Sequence, residues 1–319
     1  VMVMEGKAVK RLIVLAVLLL ALPGVAQGAQ EFAKVVTIGA QFLKIGIGAR
    51  PAGMGSAFVA VADDASAIYW NPAGVARITT NVIALNHCDW VADILFSQAT
   101  YVFDPKYFPG MMAIHARSLY MPEQIVRTVY NPDGDGTQFD NGDVAVGLTY
   151  GRSLTDKFSA GITFNYVNSS LADHSATAYS FDFGTLYDTG FQSLKIGMSI
   201  QNIGTEMEYI EDTVKLPTLF RVGMSASLYE DDQYTVLSAA EFSHPPDNNE
   251  RANLGLEVGY QDFLHLRGGY GFGYDAEGLA MGLGVKVPTS FNAEARADYA
   301  YSDLGYLGGV HRMSVDCGL

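Results

Sequence analysis

The sequence predicts an all-β fold: a transmembrane antiparallel β-barrel of about fourteen strands with an N-terminal plug in its lumen. Three observations carry that expectation. From about residue 80 onward, apolar residues alternate with small or polar ones at a period of two, segment after segment. The two faces so defined differ in kind, one aliphatic and aromatic, the other small and charged. Residues 30–79, by contrast, do not alternate and are dominated by small residues.

The chain divides accordingly into a signal peptide (1–28), a plug (29–79) and a barrel (80–319). Lys7, Lys10 and Arg11 precede an unbroken apolar run from Leu12 to Leu22, which Pro23 and Gly24 end, with small residues following to Ala29. A basic start, a short apolar stretch and small exit residues describe a cleavable secretory signal, cut after Ala26 or Gly28. The run is well short of the ~20 residues that a helical span needs.

The formal charge of −14 excludes a nucleic-acid partner, because phosphate binding requires a basic surface. The acids fall mainly in turn-like segments and read as a solvated exterior. The composition is 49% hydrophobic with 34 Gly, 18 Tyr and 17 Phe, and no second apolar stretch is long enough to cross a bilayer as a helix. Strands are the remaining way to span, because every backbone polar group must be paired within the membrane.

The strand segments show the alternation directly. Val144, Val146, Leu148 and Tyr150 share one face, opposite Ala145, Gly147, Thr149 and Gly151. Phe158, Ile162, Phe164 and Tyr166 oppose Ser159, Gly161, Thr163 and Asn165. Ile196, Met198 and Ile200 oppose Lys195, Gly197, Ser199 and Gln201, and the same pattern recurs around Arg221, Glu257 and Lys286. A soluble sandwich would alternate too. Aromatics gathered at strand ends (Tyr150, Tyr166, Tyr187, Tyr260, Tyr299, Tyr301) favour membrane interfaces instead. The opposite face carries both signs of charge: Lys195, Arg221, Glu241, Glu257, Arg267, Lys286, Glu294, Arg296 and Asp298. Such a face suits a plugged lumen, where charges pair and small residues leave room.

Strands are expected at 80–89, 92–103, 109–120, 143–153, 157–169, 177–187, 191–202, 217–229, 233–243, 251–260, 263–272, 278–288, 291–301 and 310–318. Tight connections at Thr155–Lys157, Asp188–Gly190, Glu230–Asp232 and Gln261–Asp262 alternate with longer ones, chiefly 121–142 and 203–216. Short periplasmic turns alternating with longer external loops make the first strand run outward, with both chain ends on the periplasmic side of a bacterial outer membrane.

In the plug, Pro51 biases Arg50 toward an extended conformation, and Gly53 and Gly55 permit sharp turns or close backbone approach. Asp63 or Asp64 is placed to cap a short helix running to Trp70. Asn71 reads as a second N-cap, with Pro72 at the first helical position and Ala73 and Gly74 following. No Lys-Ser/Thr pair follows the glycines, so they do not form a phosphate-cradling loop.

These residues carry a family resemblance. Gly48-Ala49-Arg50-Pro51-Ala52-Gly53-Met54-Gly55, Ala62-Asp63-Asp64-Ala65 and Asn71-Pro72-Ala73-Gly74 resemble the PorV/PorQ family of outer-membrane proteins, a branch of the FadL-like barrels. Weaker echoes lie at Asn202-Ile203-Gly204, Leu216-Pro217, Arg267-Gly268-Gly269-Tyr270 and Asp298-Tyr299-Ala300-Tyr301. The resemblance implies a fourteen-stranded barrel closed by its N-terminal segment. It implies an accessory or shuttle for protein secretion or surface attachment of the type IX kind, with secreted proteins or a surface attachment complex as partners. The FadL branch implies instead transport of long-chain fatty acids or other hydrophobic small molecules, released sideways into the membrane. Outer-membrane lipid is a partner in either case.

Catalytic and metal chemistry find little support. The six histidines are scattered without zinc-ligand spacing, and no cofactor is expected. Asn131-Pro132-Asp133-Gly134-Asp135-Gly136-Thr137 offers Asp133 and Asp135 as a weak calcium candidate, but it lacks the EF-hand glycine and terminal Glu, and turn chemistry accounts for the same residues. Cys88 and Cys317 are expected to stay unpaired, near opposite ends of neighbouring strands.

Overall fold

The computed structural model describes residues 37–134, 136–210, 212–288 and 294–319. The signal peptide and the first residues of the expected plug lie outside the described residues. Fourteen strands close into one antiparallel barrel: β1 (Val82–Asp89), β2 (Leu95–Phe103), β3 (Met111–Ile125), β4 (Gln138–Ser153), β5 (Phe158–Leu171), β6 (His174–Asp188), β7 (Lys195–Gly204), β10 (Leu219–Glu230), β11 (Tyr234–His244), β12 (Arg251–Tyr260), β13 (Leu264–Phe272), β14 (Leu279–Pro288), β15 (Glu294–Asp303) and β16 (Gly309–Gly318). The short hairpin β8 (Met207–Tyr209) and β9 (Asp212–Val214) lies between β7 and β10. Closure runs along all of β1, from Val82 opposite Gly318 to Asp89 opposite His311. Among the described residues the barrel sheet has no unpaired edge, as a hydrocarbon environment demands.

The alternation resolves as expected. Val146 and Leu148 are exposed on the outside, while Ala145 and Thr149 on either side of them are fully buried. Met198 is 43% exposed and Ser199 only 2%. The exposed aliphatic side chains form an apolar exterior that requires lipid around it, since no soluble monomer leaves so much apolar surface in water. Tyr150, Tyr187, Tyr234 and Tyr260 ring one end of it. Tyr166, Tyr179, Tyr270 and Tyr301 lie toward the other, with Tyr166 and Tyr179 in ring contact across β5 and β6.

Two connections differ from expectation. β3 to β6 run several residues beyond their expected ends, so 126–137 joins β3 to β4 and only 172–173 joins β5 to β6. The extension crosses Pro122, which cannot donate to the ladder, and the register slips there between Met121 and Gln124. Asp133 sits beside a turn in which Gly134 N–H donates to Asn131 O, with Gly134 and Gly136 both at positive φ. Asp135 lies outside the described residues. Among the described residues no group of three His, Cys, Asp or Glu is arranged to hold a metal.

β1 runs outward from the short-turn end as expected, and the chain's own N-terminus lies outside the described residues. Residues 37–45 sit at the long-loop end: Gly39 N–H donates to Lys215 O at 3.0 Å, and Lys44 pairs with Asp247 at 2.6 Å. The segment then descends the lumen and leaves it at the short-turn end, where β1 begins. Its described start therefore lies opposite the short turns. The β8–β9 hairpin folds in beside it and buries Met207 completely.

Candidate functional site

The site residues that the sequence predicts within this segment lie along its passage against the inner wall, whereas Asp133 lies in the β3–β4 loop. After Ala49 N–H donates to Ser314 Oγ on β16 at 2.7 Å, the chain makes one helical turn, Ala49–Gly53. Arg50 is helical here, contrary to expectation, because Pro51 stands in the first turn, where a missing N–H breaks no helical bond. Gly53 then packs on Gly282 of β14, and Gly55, at φ +61°, packs on Gly269 and Tyr270 of β13. Beyond it, Phe58 and Val59 N–H both donate to Glu241 of β11, at 2.9 and 2.8 Å. Ser225 of β10 donates to Ala60 O.

The inward-facing glycines of the wall are explained by the same path. A Cβ on Gly197 would come within 2.2 Å of Val59 O, on Gly184 within 2.1 Å of Asn71 Oδ1, and on Gly161 within 2.3 Å of the Pro72 carbonyl carbon. At Gly197 and Gly161 backbone meets backbone, and at Gly184 the Asn71 side chain fills the space, so none of the three admits a side chain.

Arg50 anchors a buried ion-pair ladder. Its guanidinium forks onto Glu257 of β12, with both nitrogen–oxygen distances at 2.9 Å, and pairs on its other side with Asp63 and with Asp64 at 3.1 Å. Glu257 also meets Arg267 at 2.5 Å, Arg267 meets Asp298 at 2.7 Å, and Asp298 meets Arg296 at 2.8 Å. Arg296 closes the circuit to Asp64 at 3.7 Å. The mixed charges on the inner face thus pair with each other and with the segment. A second pair, Arg221–Glu241 at 2.7 Å, stands beside Tyr69 and Trp70.

Asp63 and Asp64 do not cap a helix. The turn Ala67–Trp70 begins after Ser66, and Asp64 accepts from Ser66 N–H and Oγ while facing Arg50. Asn71 does cap the 3₁₀ turn Pro72–Arg77, accepting from Ala73 N–H at 3.2 Å. It does more: its amide donates to Val59 O at 2.8 Å and Thr185 O at 3.0 Å, entirely shielded from solvent. Ala73 is fully buried, and Gly74 lies against Ala62 O and the Ala67 methyl, so it admits no side chain. The downstream echoes converge here too. Asn202, at φ +59° in a bulge opposite Asp182, donates its backbone N–H to that carboxylate at 2.6 Å and its side-chain amide to Pro217 O at 3.0 Å.

Above the segment, at the long-loop end, lies a cavity of about 450 Å³. Phe42, Ile45, Trp70 and Trp90 give it apolar walls, and Arg221, Arg251 and Arg312 line it. At its rim, burial would raise the Asp247 carboxyl, but the Lys44 hydrogen bond and charge hold it below its ordinary value. Burial pushes the Tyr274 hydroxyl up to about 12. Sequence reading missed Arg251 and Arg312. Their signal was present, since each occupies an inward position of its strand's alternation.

A closed fourteen-stranded barrel with an apolar belt, aromatic girdles and a segment bonded to the inner wall is the architecture of an outer-membrane barrel. The fold is shared with the toluene transporter TbuX of Ralstonia pickettii (TM-score 0.56, 12% identity, covering 85% of this chain and 97% of the other). It is also shared with a FadL homologue of Pseudomonas aeruginosa (0.53, 10%, 86% and 99%). The toluene transporter TodX of Pseudomonas putida is similar as well (0.56, 10%, 84% and 95%). No curated protein matches the sequence. The family described as type IX secretion system protein PorV matches residues 27–245, more than half of the chain, and the chain belongs to that family.

Proposed function

We propose that this barrel is a binding scaffold of the PorV type, an accessory or shuttle for protein secretion or surface attachment, acting without catalysis. In this reading residues 29–79 are a permanent plug and the long-loop end is the docking face. The bonding of the segment to the wall from β16 round to β4 supports it most. A channel needs a plug that can yield, whereas here backbone meets backbone at successive wall glycines around the ring. The test is affinity purification of the tagged barrel from its own cells. Secreted proteins sharing a C-terminal domain, or a surface attachment complex, should be recovered with it; their absence from crosslinked material would refute the reading.

The alternative is a FadL-type transporter of hydrophobic small molecules. The named toluene transporters share the fold, and the cavity at the loop end has apolar walls. Against it, adjacent strands pair all the way round the ring, with register shifts only at Met121/Gln124, Phe181/Phe183 and Ser227/Tyr229 among the described residues. Sideways release needs a gap in that wall. Saturable binding of a fluorescent long-chain fatty acid with no protein partner recovered would favour the transporter.

A further inference from the structure

We infer that the loop-end cavity is a docking pocket for a polypeptide segment carrying a carboxylate beside a bulky apolar side chain, with Arg251 and Arg312 holding the carboxylate. The inference rests on the secretory reading and names the chemistry its partner would present. Four cationic side chains line the cavity, and two have counter-ions: Lys44 with Asp247 and Arg221 with Glu241. The other two have none among the described residues. Arg312, 8% exposed, donates to Ser302 Oγ at 3.0 Å, and Arg251 lies over the Tyr274 ring at 4.4 Å; neither meets a carboxylate among the described residues. The Nε of each is buried and unbonded.

Enclosed guanidinium groups lacking an anion are costly, and the structure sustains two in one cavity. Both are held against rings, Arg312 over Trp90 at 5.2 Å and Arg251 over Tyr274, which fixes their planar forks for an incoming anion. Phe42, Trp70 and Met121 offer apolar surface for the neighbouring side chain. A free fatty acid could supply the carboxylate and the apolar stem. It would bring no donor to Glu277, which also lines the cavity, whereas a peptide brings backbone N–H groups. The cavity also lies over the segment, between the loops, on the side from which a secreted chain would approach.

The test uses the full-length barrel in a neutral detergent. Both tryptophans of the chain, Trp70 and Trp90, line the cavity, so intrinsic fluorescence reports its occupation. The probes are acetyl-Ala-Glu-Phe-Ala-amide, its Gln counterpart and laurate. The Glu peptide should give a saturable change that weakens with salt, with the Gln peptide bound about tenfold less well. Arg312→Gln and Arg251→Gln should each weaken the Glu peptide about tenfold, and Arg152→Gln, exposed at the opposite end, should not. Retention of heat-modifiable gel mobility would show that the variants remain folded. Equal binding of Glu and Gln peptides, or unaltered binding by both folded arginine variants, would overturn the assignment. Laurate binding without peptide binding would overturn the polypeptide and leave a small organic acid. Peptide failure with secreted proteins still co-purifying removes the pocket alone; the reverse removes the secretory reading.

Discussion

Replacing Arg50 with Met should loosen the segment more than any other single change in the ladder. The guanidinium makes both bonds to Glu257 and the pairs with Asp63 and Asp64, and it is the group linking the segment's two aspartates to the wall acid. Without it Glu257 keeps Arg267 at 2.5 Å, but beside its Ser66 hydrogen bonds Asp64 keeps only Arg296, at 3.7 Å, as a counter-ion, and Asp63 loses its ion-pair partner among the described residues. Breaking a buried pair by removing one member costs about 3–5 kcal/mol, because the other member stays buried and charged. Glu257→Gln should cost roughly half as much, since Arg50 retains its aspartates and Arg267 retains Asp298. The double variant Arg50→Met/Glu257→Met should be less destabilised than the sum of the singles by about 1 kcal/mol or more, as expected of groups in one network. Urea titrations of protein refolded into vesicles, read by gel mobility, give all three values. An Arg50→Met midpoint indistinguishable from wild type, or strict additivity in the double variant, would refute the ladder as the segment's anchor.

Gly282→Leu should prevent folding, because Gly282 lies against Gly53, whereas Gly268→Leu on the outer face, with open space around it, should be tolerated; yields of folded band on a gel compare them. Asn71→Ala should lose about 2–4 kcal/mol in the same urea titration, as it removes a cap and strands two buried carbonyls. Met198→Arg should cost about 2–4 kcal/mol near the bilayer midplane. Ser199→Arg should cost comparably for a different reason, overpacking against the segment, so a thinner lipid should relieve only Met198→Arg. Cys88 and Cys317 pair in register with Arg312 and Ile83, which separates them along β1 by about 17 Å at the usual strand rise. Thiol labelling after denaturation should find two free groups, and a native bridge would contradict the register.

The barrel was legible because period-two alternation is a strong signal when repeated fourteen times with faces of different chemistry. The membrane reading came from what the inner face lacked in bulk and carried in charge. Strand ends above the membrane were less legible: Gln138 to Gly142 looks like loop until Met121 to Ile125 stands opposite it. The sequence draws attention to the segment's residues but not to every contact they make. Arg50 was given a backbone conformation from its neighbour alone, when the helical turn is set by docking on β13 to β16. Asp64 was read as a local cap because its true partner, Arg50, is local in space yet set by the same docking. Arg251 and Arg312 were missed because an unpaired arginine is a statement about absent neighbours, which only three dimensions reveal.

Ion conductance of the purified barrel in a planar bilayer tests the central claim most directly. A lumen occupied by a segment bonded around its wall should give no resolvable unitary steps, and Arg50→Met should begin to admit brief openings. Steady porin-like steps from the wild-type protein would mean that the segment does not close the lumen, and the account of a plugged binding scaffold would fall.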